Sequence, residues 1–224
     1  MTEIKNLAPR LRAAASALSL NLTDTQEHAL LEYLRQLQRW NKSYNLTAVR
    51  DPQQMLVQHV IDSLAIVTPL KDSLYKNTVS NPVVVDVGSG AGLPGVVLAI
   101  VCPDITVHCV DTVEKKATFI RYVAGVLRLS NLHAHHARVE HLGPFEADIV
   151  VSRAFASLVD FVRLAGKHAS ATGHLLAMKG REPVEEIEEM VGTTPWRVDR
   201  VDPLEVPELD ARRCLVWLSE QGNA

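Results

Sequence analysis

The sequence predicts a doubly wound α/β fold with a mainly parallel sheet, preceded by a helical segment and finished by an antiparallel hairpin. Three observations predict it. After Pro82, short apolar runs alternate with helical patterns. The first of those runs feeds a glycine-rich turn, VVVDVGSGAGLPG, residues 83–95. The segment before them, up to Ser80, carries only helical periodicity. Alternation of this kind builds βαβ units with helices on both faces of the sheet.

Thr23 or Asp24 caps a helix running to about Trp40, with Leu30, Leu31, Leu34, Leu37 and Trp40 near i, i+3, i+4 spacing. After the turn-like NKSYN, Asp51-Pro52 starts another helix through His59 and Leu64. Lys71–Pro82 reads as a linker. The strands are Val83–Val87, Ile105–Asp111, Leu132–Ala137, Asp148–Ser152 and His174–Met178. Between and after them lie the helices Pro94–Val101, Glu114–Leu129, Leu158–Ala169 and Val184–Met190. Trp196–Val201 and Cys214–Leu218 form the closing hairpin. We divide the chain into a helical extension, 1–80, and a sheet domain, 81–224.

Composition narrows the function classes. At 224 residues, 47% hydrophobic and 22% charged, the chain reads as an ordinary globular protein. Cys102, Cys109 and Cys214 are odd in number and widely spaced, which points to a reducing, cytoplasmic setting without a disulfide framework. Ala13–Leu20 is short and interrupted by serines, so it reads as a helix rather than a signal peptide. Leu93–Cys102, the longest apolar run elsewhere, is too short to cross a bilayer, so no membrane partner is expected. The net charge of −3 argues mildly against nucleic acid, but residues 182–210 alone carry −8, leaving +5 on the rest.

Gly90, Gly92 and Gly95 complete G-x-G-x-x-G, and Asp111 follows them at the separation where a ribose-binding acid belongs. That pattern also suits a nicotinamide-dependent oxidoreductase. The acids choose between the two cofactors. A pyrophosphate takes amide donors and avoids neighbouring carboxylates. S-adenosylmethionine has no phosphate and a net positive charge. Asp86, Asp111 and Glu140 all fall at or just beyond the first three strand ends, where three carboxylates facing one mouth would suit a cation. At an effective dielectric of about 20, a charge pair 4 Å apart is worth roughly 4 kcal/mol before desolvation. In this reading the glycines admit the methionine part, Asp111 takes the ribose hydroxyls, and Glu140 with the Val139 backbone meets the adenine. The plain structural alternatives are a solvated loop acid for Glu140 and a helix cap for Asp111.

DVGSGAGLPG, a strand ending VD, then RVE, DIVVSRAFASL and MKG, in that order, resemble the glucose-inhibited division protein B family. These are the small-subunit (16S) rRNA guanine-N7 methyltransferases. WNKSYNLTA and HVIDSL resemble the family's N-terminal motifs, and the likeness spans roughly residues 30–180. Gln58 departs from the arginine that many relatives carry. The resemblance implies a Rossmann-like class I methyltransferase sheet and S-adenosylmethionine as cofactor. Its partner would be 16S rRNA or a small-subunit particle, with Gly88, Leu93, Val139, Glu140 and Arg153 lining the cofactor site. Asn45, Thr47, His59 and Asp62 would form the N-terminal side of the cleft.

A guanine N7 has a lone pair and no proton, so its methylation needs positioning rather than a general base. No residue is therefore assigned as catalytic; Arg153, His59, Asp62 and Asn45 are candidates for positioning the acceptor. Arg153 would hold the cofactor carboxylate or an RNA phosphate, or else pair with an acid such as Asp148. His59 and Asp62, at i and i+3, share one helix face, although a structural histidine fits as well. Thr47, Lys115, Lys116, Arg121 and Lys179 are candidate RNA contacts, the four cations against a solvated-surface reading. His133 and His135 would point to one side of a strand and His136 to the other, without a convincing Cys or carboxylate partner, so no metal is expected. A monomer is the default. A non-catalytic cofactor-binding or ribosome-assembly protein is a third reading.

Overall fold

The computed structural model describes residues 4, 6–76, 80–153 and 155–221, without the Lys76 side chain. Helices α1 (Ala8–Ala17) and α2 (Asp24–Tyr44) come first. Thr23 caps α2 through a reciprocal box: its hydroxyl accepts from Gln26 N at 3.2 Å, and Gln26 Oε1 accepts from Thr23 N at 3.0 Å. The helix ends where Asn45 takes a left-handed φ of 48°. Asp51 caps α3, residues 52–64, whose middle, Leu56–Ile61, is π-helical. Helix α4 spans Val67–Lys76. The expected linker from Lys71 is thus helical up to Lys76, because Val67, Leu70 and Leu74 give it an apolar stripe that is buried.

Seven strands follow: β1 (Val83–Val87), β2 (Thr106–Asp111), β3 (Leu132–His136), β4 (Ala147–Ser152), β5 (Ala169–Lys179), β6 (Trp196–Leu204) and β7 (Arg213–Glu220). Helices α5 (Gly95–Val101), α6 (Glu114–Leu127), α7 (Leu158–Ala165) and α8 (Val184–Thr193) connect them. The sheet order is β3-β2-β1-β4-β5-β7-β6, parallel from β3 to β5, with β7 antiparallel to both β5 and β6. The closing hairpin therefore inserts its second strand next to the parallel sheet. The order in which successive strands are added reverses between the parallel neighbours β1 and β4, the switch point where ligands of such sheets bind.

Side-chain alternation divides the core in two. Val84, Val107, Ile149, Val151, Leu176 and Trp217 pack with residues of α1 to α6 in one apolar cluster. Val85, Val110, Val150, Leu175 and Val216 pack with α7 and α8 in the other. The N-terminal helices share the first cluster with the sheet. That burial brings Thr47, His59 and Asp62 to the carboxyl ends of the strands.

Candidate functional site

Three glycines of the β1–α5 loop have left-handed backbones: Gly88 at φ 71°, Gly90 at 59° and Gly92 at 92°. A Cβ on Gly90 would meet nothing nearer than Gly88 O at 4.0 Å, so open space lies against this backbone. Elsewhere the loop is packed tight. A Cβ on Gly95 would sit 2.3 Å from Cys109 Sγ and 2.9 Å from Asp86 Oδ2. Leu93 and Val139 are buried, while Gly88 and Gly90 are half-buried.

Asp86 corrects one expectation. It does not face the mouth but lies fully buried beneath the loop, where Oδ2 accepts from Gly95 N at 2.8 Å. Strand parity sends it, like Val84, towards the face covered by α5. Its Oδ1 has no partner among the described residues. Burial pushes the carboxyl up to about 7, against the opposing pull of the Gly95 amide and Arg153.

Asp111, at the end of β2, is nearly buried and braces the same loop from the other side. Oδ2 accepts from Gly90 N and Oδ1 from Val113 N, each at 2.8 Å, and Lys116 Nζ lies 3.7 Å away. The bond to Val113 N is a turn that leads the chain into α6, whose N-cap is Val113 without a side-chain cap, so Asp111 is not the helix cap of its plain structural alternative. Glu140 is half-buried in a 3₁₀ turn, Val139–His141, after β3. Its own backbone amide, then Arg138 at 3.4 Å, hold its carboxyl below the usual range. The turn is anchored from beneath: His168 lies 2.9 Å from Val139 O, and Lys167 donates to Glu140 O at 2.7 Å. Those anchors come from the loop before β5 and have no sequence motif.

Beside the loop lies a cavity of about 300 Å³ bordered by His59, Asp62, Arg153, Lys179 and Arg213. Arg153 pairs with Asp62 at 3.2 Å, not with Asp148, which instead accepts from Val83 N at 2.8 Å. Arg153 also donates to Gln58 O at 3.1 Å. Arg213 reaches the other oxygen of Asp62 at 2.8 Å. Two guanidinium groups thus share one buried carboxylate. Lys179 pairs with Glu186 at 2.8 Å. Three cations against two carboxylates leave the cavity rim positive.

His59 Nε2 lies 2.9 Å from the Thr47 hydroxyl. Burial, with Arg153 nearby, pushes its imidazole down to about 4, so it is neutral at pH 7. Asn41 explains much of WNKSYNLTA. Its side chain accepts from Thr47 N at 2.9 Å and donates to Val49 O at 3.1 Å, pinning the loop that carries Thr47. Asn45 is exposed, and its Oδ1 accepts from Arg50 at 3.1 Å.

Lys115 and Arg121 are exposed on α6, and Arg121 donates to Thr118 at 3.1 Å; Lys116 turns back to Asp111. The histidines gather on one face. His108 Nδ1 lies 3.0 Å from His135 Nε2, and His108 stacks on His133 at 5.0 Å. His136 lies apart, with Nε2 3.2 Å from Thr112 O. Among the described residues no group of three or more His, Cys, Asp or Glu is arranged to hold a metal. No helix among them is long and apolar enough to cross a membrane.

The chain matches the family model described as rRNA small subunit methyltransferase G over residues 26–216. It is 54% identical over 211 residues to the ribosomal RNA small subunit methyltransferase G of Bordetella avium, covering 94% of this chain and 92% of that one. The enzyme of that name from Methylibium petroleiphilum is 50% identical, with 98% and 97% covered. Among solved structures, a SAM-dependent methyltransferase from Aquifex aeolicus superposes with a TM-score of 0.51 at 20% identity, over 75% of this chain and 97% of that one. The mitomycin 7-O-methyltransferase MmcR superposes with a TM-score of 0.59 at 13% identity, over 84% and 60%. At such identities these two likenesses bear on the fold alone.

Proposed function

This chain belongs to the rRNA small subunit methyltransferase G family, and from that premise we propose that it methylates N7 of a guanine in small-subunit (16S) rRNA, using S-adenosylmethionine. The observation that carries the cofactor half is the loop at the switch point. Three left-handed glycines lie there in a loop braced by two carboxylates, Asp111 at Gly90 N and Asp86 at Gly95 N, with open space against Gly90.

S-adenosylmethionine, when bound, supplies an electrophilic methyl group on its sulfonium. The loop glycines at 88 and 90, with Leu93, let the backbone approach the methionine part. Asp111 keeps one lone pair per oxygen for ribose hydroxyls, since each oxygen already accepts one amide. Val139 and Glu140 meet the adenine.

On the acceptor side, Asp62 fixes Arg153 and Arg213 at the cavity rim, where they hold RNA phosphate or the cofactor's carboxylate. The neutral His59, steadied by Thr47, faces the same cavity. No proton has to leave N7, so these groups orient the base and exclude water. Positioning of that kind supplies on the order of 7–11 kcal/mol in favourable cases. We propose that the enzyme works as a cytoplasmic monomer on naked rRNA or on a small-subunit particle.

The test is incubation with methyl-labelled cofactor and small-subunit RNA lacking this modification, free and assembled, followed by strand cleavage at 7-methylguanosine. Label at a single guanine N7 is expected. No label there in either form of RNA would overturn the acceptor assignment.

A further inference from the structure

We propose that the outer faces of α2 and α6 form a base-stacking platform for single-stranded RNA, built on Tyr44, Trp40 and Tyr122 and continuous with the methyl-transfer cleft. The inference rests on the rRNA-methyltransferase reading and adds a second contact surface to it.

Aromatic residues make up only 5% of this chain. Three tyrosines are exposed among the described residues: Tyr44 at 47%, Tyr75 at 42% and Tyr122 at 36%. Two of those three lie against one tryptophan. The Trp40 ring centroid is 5.0 Å from Tyr44 and 5.1 Å from Tyr122. Beneath Trp40 sits the fully buried Phe119 at 5.4 Å, and beyond it Tyr33 at 6.2 Å, whose hydroxyl donates to Ala91 O in the glycine loop at 2.9 Å. Tyr122 is fixed by donating to Gln36 at 3.2 Å. The exposed rings are therefore held from below by a chain of aromatics ending at the cofactor loop.

The charge around them is one-sided. Residues 33–50 carry four bases and no acid, and residues 115–139 carry five bases and no acid, in a chain whose net charge is −3. Three of those nine bases, Arg35, Lys116 and Arg138, pair with Glu32, Asp111 and Glu140 at the edges of these segments, and the other six leave the field positive. Rigid aromatic faces in such a field match a single strand, whose bases stack on rings and whose phosphates follow the cations. The platform is also placed for the reaction. Helix α2 ends at Asn45, and Thr47 reaches His59 in the cavity. Helix α6 starts just beyond Asp111. A guanine N7 faces the deep, narrow major groove of an A-form helix, which side chains do not enter, so its methylation requires an unpaired or splayed acceptor. Unstacked neighbours of that base need new surfaces to stack on.

The full chain, with S-adenosylhomocysteine bound, is titrated with a fluorescein-labelled 12-nucleotide single strand and with its duplex. KM for small-subunit RNA is measured alongside. Tyr44→Leu and Tyr122→Leu keep apolar bulk without the ring, and Tyr44→Phe and Tyr122→Phe keep the ring. Each leucine variant should weaken single-strand binding and raise KM for RNA about 5- to 50-fold. The phenylalanine variants should stay within about twofold, and S-adenosylhomocysteine affinity should not change. Leucine variants that bind the single strand like the parent would overturn the platform. So would equal losses on strand and duplex, which would mean phosphate tracking alone. An effect seen only with assembled particles would place a ribosomal protein on the patch instead. If the parent protein methylates no RNA, the methyltransferase reading fails while the oligonucleotide titration still tests the platform.

Discussion

Replacing Asp86 with asparagine leaves an oxygen to accept the Gly95 N–H and removes only the charge. Burial raises this carboxyl from 3.8 to about 7. Below pH 4 both folded and unfolded chains hold the proton. Between pH 4 and 7 the folded chain keeps a proton that the unfolded chain has released, so stability falls as pH rises. The whole loss is about 4 kcal/mol, complete above pH 7. Asp86→Asn lacks this titration. Urea unfolding without cofactor, run from pH 4.5 to 8, should therefore show the variant gaining on the parent as pH rises, most strongly at pH 8. Cofactor binding should show the opposite preference. A cationic ligand favours the ionised carboxylate, so the parent's affinity for S-adenosylmethionine should rise through about pH 7, while the variant's stays flat and weaker. Identical pH dependence of stability in the two proteins would refute the buried, raised carboxylate and its role beneath the loop.

Asp111→Ala removes a charged partner of the loop and of the ribose, so calorimetry should show cofactor affinity reduced by about 1.5–3 kcal/mol. Gly95→Ala should destabilise the fold more than Gly90→Ala, because its Cβ would collide with Cys109 and Asp86. Gly90→Ala should cost about 1–2 kcal/mol of stability for its left-handed φ, and thermal and urea melts rank the two. Asp62→Asn should lower kcat on RNA about tenfold or more, since Arg153 and Arg213 lose the charge that fixes them; a kcat on RNA equal to the parent's would contradict a positioning role. His59, held neutral by burial, should contribute no step near pH 6.5 to the kcat profile, and such a step that disappears in His59→Gln would contradict its assignment.

The parts of the site visible in the sequence were local. The strand, the glycine turn and Asp111 lie in one stretch from Val83 to Asp111, and their geometry follows from φ angles and strand ends. Asp86 is legible as a site residue, but its direction is not given by its place at the strand end. Its parity with Val84, one strand pleat away, was the available sign that it points under α5 rather than into the mouth. The helix Val67–Lys76 was hidden by Lys71, Asp72 and Ser73, although Val67, Leu70 and Leu74 already carried helical spacing. Arg213 could not be read at all. It meets Asp62 only because β7 inserts between β5 and β6, and that pairing depends on the whole sheet. The same holds for Tyr44 and Tyr122, far apart in the chain, which become neighbours when α2 packs along α6 over Phe119.

The central claim is that this switch-point loop, braced by Asp86 and Asp111, is built for a sulfonium cofactor rather than a dinucleotide. Calorimetric titration of the purified chain with S-adenosylmethionine, its demethylated product and NAD tests that most directly. Saturable binding of the first two at one site, weakened together in Asp111→Ala, and no heat from NAD is the predicted result. Binding of NAD without either sulfur compound would contradict it.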